Sequence, residues 1–490
     1  MANARCFRSL LTSSRRARSA LVTSLATAAS PSRPMAISCS WARGRHTACT
    51  HSMMAVARST SIIVASCCSS HHTCTPQCCS LRANSLVPVW AIASMCSGRS
   101  SIPMSTNWNG SMTDKRIAAL DVTRAVALVG VVILNYHGFL NGSDDGVNRS
   151  FGERLFDPFQ GPLSTRFAAT FVMVAGIGIT LLTNRSRLSG DRAAIRENRW
   201  RLARRGLLLY SFGFFLEWIW PGTILFYYGA LFLVGALLFT LRLRWIALIG
   251  TISAVIGAGV AWFSFEHKRT GHDVSWLDPK MTSPRNLLLR TFIGYTHPLF
   301  PWLAFLCAGI MVGRLLPFAA QLRLRLSALG AGLLASTYAL SHFGLKLAES
   351  GSTTGTAPAR TFADRGIATD RWQVLLSTRP FDRGLLYTAG TIGSALIAFC
   401  MISAITERFP SVWPTRLLQH AGQMTLTIYA CHAIAFNVVV HWMHLAGSTG
   451  LDTALILSLT FWVFAIAIGA WWHRFLGMGP LERIYRGFGG

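Results

Sequence analysis

The sequence predicts an all-α, polytopic membrane helix bundle of about ten transmembrane helices with both termini in the cytoplasm. Three observations carry this. Of 490 residues, 51% are hydrophobic and only 13% charged, with a mean hydropathy of +0.40, too apolar for one or two soluble domains. Ten apolar segments reach spanning length, about 17–25 residues. Arginine collects in the connections that follow every even-numbered segment, which the positive-inside rule reads as the cytoplasmic side.

The first 111 residues stand apart. They hold eleven Arg, no Lys, no acid, nine of the twelve Cys and long Ser, Ala and Thr runs, without sustained helical or strand periodicity. A secretory signal would need a 7–15-residue apolar core, and LVTSLATAA at 21–29 is a weak one; a transit peptide matches in composition but not in length. The expectation is a disordered extension or a mis-set start, with translation beginning at Met104 or Met112 and a helical domain over 112–490. The Cys clusters at 67–68, 74 and 78–79, with His71 and His72, lack a second half at zinc spacing, so no metal is expected. Cys307, Cys400 and Cys431 lie in apolar segments, where a small buried thiol is the expectation.

The spans fall at about 117–138, 167–183, 206–221, 223–241, 245–265, 298–316, 325–343, 384–405, 419–441 and 452–472. Pro221–Gly222 implies a tight turn between the third and fourth. The connection NRSRLSGDRAAIRENRWRLARR after span two carries eight Arg against Asp191 and Glu197 and is the strongest orientation mark. Eleven of the net +27 charges belong to the first 111 residues and the rest sit mainly in short loops, which is a membrane pattern and not a nucleic-acid one. Longer loops at about 139–166, 266–297 and 344–383 face the other side, where an acceptor site is expected. Trp218, Trp220, Trp302, Trp442, Trp471 and Trp472 near span ends read as an interface belt.

Chemistry-bearing residues conflict with the apolar spans that hold them, and such residues mark working sites. In span one, Asp121 and Arg124 are i, i+3 neighbours, and Asn135 returns to nearly the same face eleven residues after Arg124. That stripe suits contact with a polar cofactor or substrate, or else a buried pair that fixes helix packing. His137 points away from the stripe on an unbroken helix, but Gly138 is expected to end the helix nearby and free the angle. It could serve as general base or transient acyl carrier. In span nine Thr425, Tyr429 and His432 share a stripe at i, i+4, i+7, so His432 sits deep and needs a partner. His297 stands beside prolines at the start of span six, and Glu217 near the end of span three. Neither a phosphate loop nor a serine nucleophile elbow is present, against an ATP-driven pump.

RIAALDVTRAVALVGVVILNYHG at 116–138 resembles the first span of the YeiB-like membrane proteins, domain of unknown function 418. The resemblance continues through 166–182, 224–238, 301–315, AGQMTLTIYACHAIAF at 421–436 and GPLERIYR at 479–486, covering about 115–487. That family is similar to the heparan-α-glucosaminide N-acetyltransferases and, more distantly, to the type 3 acyltransferases. Asn135 stands where the type 3 pattern has a His, Thr223 replaces a common acid, and ahead of span two only Asp157 and Gln160 remain of the N-acetyltransferase pattern.

The resemblance implies a plasma-membrane acyltransferase moving an acetyl group from cytoplasmic acyl-CoA to an extracytoplasmic sugar, lipid or wall component. Arg124, Asn135 and the arginines Arg201, Arg204 and Arg205 would meet the CoA donor, with guanidinium groups on its phosphates. His137 is the first candidate base and His432 the second, with Asp121 and Asp157 orienting. Two other readings stay open: a small-solute transporter, in which these groups line a path, and a structural or signalling membrane protein without chemistry. No inverted repeat is evident for the former.

Overall fold

The computed structural model describes residues 118–140, 150–272, 276, 283–294, 296–316, 320–349, 371–447 and 450–489, and the backbone of four strands within 37–81. The chain divides into two units, Met1–Met112 and Thr113–Gly490. In the first, β1 (Ile37–Trp41), β2 (Cys49–Arg58), β3 (Ser61–Cys68) and β4 (Cys79–Leu81) pair as an antiparallel meander, where no regular element was expected from periodicity. The run SIIVASCC supplies the β-branched residues that favour such pairing. His71, His72, Cys74, Met104 and Met112 lie outside the described residues.

Every described element of the second unit is helical. The principal helices are α1 (Ala118–Leu140), α2 (Phe151–Leu155), α3 (Arg166–Ser189), α4 (Arg192–Leu216), α5 (Leu225–Leu238), α6 (Leu243–Arg269), α7 (Pro284–Phe292) and α8 (Leu299–Gly313). They continue with α9 (Ala320–Glu349), α10 (Arg371–Leu376), α11 (Leu385–Arg408), α12 (Trp413–Gln423), α13 (Thr425–Phe436), α14 (Leu451–Leu476) and α15 (Pro480–Gly489). Six stretches among the described residues are long and apolar enough to cross a bilayer: α1, α3, α6, α11, Thr425–Trp442 and α14. Two further apolar helices, α5 and α8, are shorter. The molecule is a multi-pass membrane protein.

Small residues let these helices approach closely, as membrane interfaces require. Gly309 of α8 lies against the Met173 carbonyl of α3, and Gly176 of α3 against the Leu306 carbonyl of α8. Gly422 of α12 rests on the Asp121 carbonyl of α1. Around α1 the core includes Leu128, Val132 and Tyr136, each at most 1% exposed.

Several local expectations are corrected. The Arg-rich connection is mostly helix: α3 runs to Ser189, Gly190 terminates it in the left-handed region at φ 68°, and Asp191 caps α4 by accepting from the Ala193 amide. Gly138 does not end α1, which continues to Leu140; it gives Pro158 and Phe159 room to pack on the helix. Span nine begins at Thr425, because Met424 breaks the chain into α12 and α13. Trp220 and Trp302 are buried and leave the interface belt, whereas Trp218 and Trp442 are exposed. Cys307 and Cys400 are buried, but Cys431 is exposed.

Candidate functional site

The C-terminal end of α1 meets α13 through two consecutive residues. Asn135 Nδ2 lies 3.2 Å from His432 Nε2, and the Tyr136 hydroxyl donates to the His432 carbonyl at 2.9 Å. On its other side His432 Nδ1 contacts the Tyr429 carbonyl, one turn earlier in α13. A carbonyl only accepts, so Nδ1 carries the proton and Nε2 keeps its lone pair, which accepts from the Asn135 amide. His432 is fully buried, with the Trp220 ring edge-on at a centroid distance of 5.1 Å and Tyr429 at 4.7 Å.

Trp220 comes from the turn between α4 and α5, and that turn is stapled. Glu217 accepts from the Gly222 amide at 3.1 Å and the Thr223 amide at 3.2 Å, and pairs with Arg290 of α7 at 2.6 Å. Both partners are buried, and the turn reverses at Gly222 with φ 83°. Thr223, in place of the expected acid, has its hydroxyl 3.0 Å from that of Tyr429, which also accepts from the Ile224 amide at 3.2 Å. The turn and α13 are therefore held in one register.

Beside this cluster lies a cavity of about 100 Å³. Asn135, Trp220 and Tyr429 line it, along with Phe139, Phe159 and Phe381, while Thr165 and His297 add polar atoms. His297 is packed edge-on against Trp302 at 4.6 Å. The cavity is bounded by the C-terminal part of α1, the start of α3, the turn between α4 and α5, the residues just before α8, and α13. Aromatic faces with a few amide and hydroxyl groups suit a small polar ligand with apolar edges.

The other candidates fall elsewhere. His137 is buried, its Nδ1 2.8 Å from the Phe156 carbonyl, so it pins the following loop and does not join Asn135. Asp157 accepts from the Phe159 and Gln160 amides at 2.8 and 2.9 Å, a turn that shapes the same loop. Asp121 and Arg124 pair at 3.2 Å at the opposite end of α1 from Asn135, about 16 Å from Arg124 to Asn135 along the axis at 1.5 Å per residue. The cavity lining includes Asn135 and not Arg124.

At that opposite end, arginines of α4 face α15. The Arg205 guanidinium lies over the Tyr485 ring at 5.2 Å, and Arg204 donates to the Gly489 carbonyl at 3.4 Å. The Nε atoms of Arg201, Arg204 and Arg205 are buried without a hydrogen-bond partner among the described residues. This end is electropositive and able to receive an anion.

Residues 116–342 match the family model described as heparan-alpha-glucosaminide N-acetyltransferase, catalytic, and residues 365–488 match that described as protein of unknown function (DUF418). Together the two matches support a YeiB-like DUF418 family related to the heparan-α-glucosaminide N-acetyltransferases. No curated protein matches the chain. The two matched regions meet at the site: Asn135 and Trp220 come from the first, Tyr429 and His432 from the second. The protein is acetyltransferase-like on the strength of the first match. Sequence reasoning missed Trp220, whose place between two spans looked like any interface tryptophan.

Proposed function

We propose that this protein is a transmembrane acyltransferase that moves an acetyl group from cytoplasmic acyl-CoA to a glycan, lipid or wall acceptor on the other side of the plasma membrane. The carrying observation is the Asn135–His432 pair beside the aromatic-lined cavity, with an unprotonated His432 Nε2 directed at the Asn135 amide. In this reading α4, α5, α8 and α9 complete ten spans, and the arginine-rich face is cytoplasmic. Arg124, Arg201, Arg204 and Arg205 take the CoA phosphates, while the acceptor enters the cavity over Phe159 and Trp220.

His432 is preferred to His137 as base because its Nε2 faces a cavity-lining amide. The acceptor oxygen or nitrogen attacks the thioester carbonyl carbon and His432 Nε2 takes its proton. Asn135 turns its amide from Nε2 to the developing oxyanion, a contact that strengthens only as charge builds there. The carbon–sulfur bond breaks, the CoA thiolate leaves, and the proton returns from His432 to it.

The test is radiolabel transfer from acetyl-CoA by purified protein to membrane extract, beside His432→Ala, Asn135→Ala and His137→Ala. The expected result is loss of about 10²–10⁴-fold with His432→Ala, the usual range for a general base. Asn135→Ala is expected to lose about 10²-fold, the scale of an oxyanion donor. No transfer by the parent to any acceptor, or full activity in His432→Ala, overturns the reading.

A further inference from the structure

The break at Met424 exposes a problem that the chain solves from a distance. α13 starts afresh at Thr425, so its first amides lack acceptors within the helix, in a partly buried setting. Met424 has no capping side chain. The partner instead comes from α15, more than fifty residues later. Glu482 accepts from the Leu426 amide at 2.7 Å, the Thr427 amide at 3.1 Å and the Thr427 hydroxyl at 2.5 Å. A carboxylate there also opposes the positive end of the helix dipole.

The four residues G-P-L-E read as the means of delivering that carboxylate. Gly479 leaves room that a Cβ would take from the Glu482 carboxylate and from the Thr427 hydroxyl at 2.8 Å. Pro480 opens α15 with a fixed φ, and Glu482 stands in its first turn. The Thr427 hydroxyl in turn accepts from the Leu481 amide at 3.3 Å, closing the contact from both sides. Further along α15, Tyr485 and Gly489 touch Arg205 and Arg204. α15 thus spans from the amino end of the helix that carries Tyr429 and His432 to the arginines of α4.

We infer that Glu482 is a positioning residue for His432: by capping α13 in trans it fixes the register in which His432 meets Asn135, and α15 ties that register to the α4 arginines. This rests on the acyl-transfer reading for its kinetic consequence, while the cap itself has a readout of its own.

The experiment compares Glu482→Ala, Glu482→Gln and Thr427→Val in the full chain, by amide hydrogen exchange over 425–436 and by steady-state acetyl transfer. Expected are faster exchange in 425–432 of Glu482→Ala with α3 and α8 unchanged, and a kcat about tenfold lower at unchanged donor KM, the scale of a lost cap. Glu482→Gln keeps an acceptor oxygen and recovers most of both, and Thr427→Val gives a smaller loss in the same direction. If Glu482→Ala fails to fold, Thr427→Val and Glu482→Gln decide alone. Parent-like exchange in α13 of every folded variant overturns the inference. So does a loss that appears in donor KM alone. If the parent transfers no acetyl group, the acyl-transfer reading fails, and the exchange result still decides the cap.

Discussion

Replacing Arg290 by Met should unseat the turn that carries Trp220. Arg290 and Glu217 are 8% and 7% exposed at the side chain and 2.6 Å apart, so the substitution leaves a buried carboxylate with only backbone amides to hold its charge. At 2.6 Å and an effective dielectric near 20 the gross attraction is about 6 kcal/mol. Desolvation of both ions offsets part of this, and removing one member of a buried pair typically costs about 3–5 kcal/mol. Glu217→Gln with Arg290→Met removes both charges and keeps the volume, so the double variant should recover much of the loss. The assay is apparent melting temperature in detergent for the four proteins of the cycle, with acetyl transfer measured alongside. A coupling energy of about 2 kcal/mol or more is expected for groups in direct contact. Additive shifts, or a single variant that melts like the parent and keeps its activity, would refute the reasoning.

Two further outcomes test the packing and the titration of the helix ends. Gly309→Val places atoms on the Met173 carbonyl across the α3–α8 contact and should cost about 3 kcal/mol by overpacking, whereas Gly332→Val on α9 has open space and should be near neutral; melting of the two variants checks this. His420 of α12 lies with its ring centroid 4.0 Å from that of His473 and is held below the ordinary value of 6.5, first by burial and then by that neighbour. The folded state therefore resists a proton that the unfolded chain accepts, so stability should fall as pH drops below 6.5 and be unaffected above it. Melting between pH 5 and 8 should show a shallower acid loss in His420→Gln; equal slopes would remove His420 from the account.

Much of the helical architecture was legible because hydropathy and segment length report on each helix separately. α1, α3, α6, α11 and α14 fall where apolar runs and polar flanks place them. What the sequence withheld depends on partners. The face of Trp220 is decided by a carboxylate staple from Glu217 to α7, and nothing in the local pattern separates a buried tryptophan from a belt tryptophan. The helical state of Arg192–Arg205 was hidden because charge density reads as loop, although Gly190 and Asp191 are ordinary stop and start residues. The polar stripe of α1 was readable by periodicity, and an unbroken helix does turn His137 from it; the expected end at Gly138 was the misleading element. That Asn135 meets His432, 297 residues away, follows only from tertiary packing.

Between Arg124 and Asn135, the buried side chains of Ala125, Leu128 and Val132 form a dry layer inside the bundle. Such a layer acts as electrical insulation: a membrane potential drops mostly across material that water does not fill, at about 2.3 kcal/mol per elementary charge per 100 mV. An ion or proton crossing there does work against or with that field. From Ala125 to Leu134 the helix offers a crossing ion or proton no polar side chain to rest on.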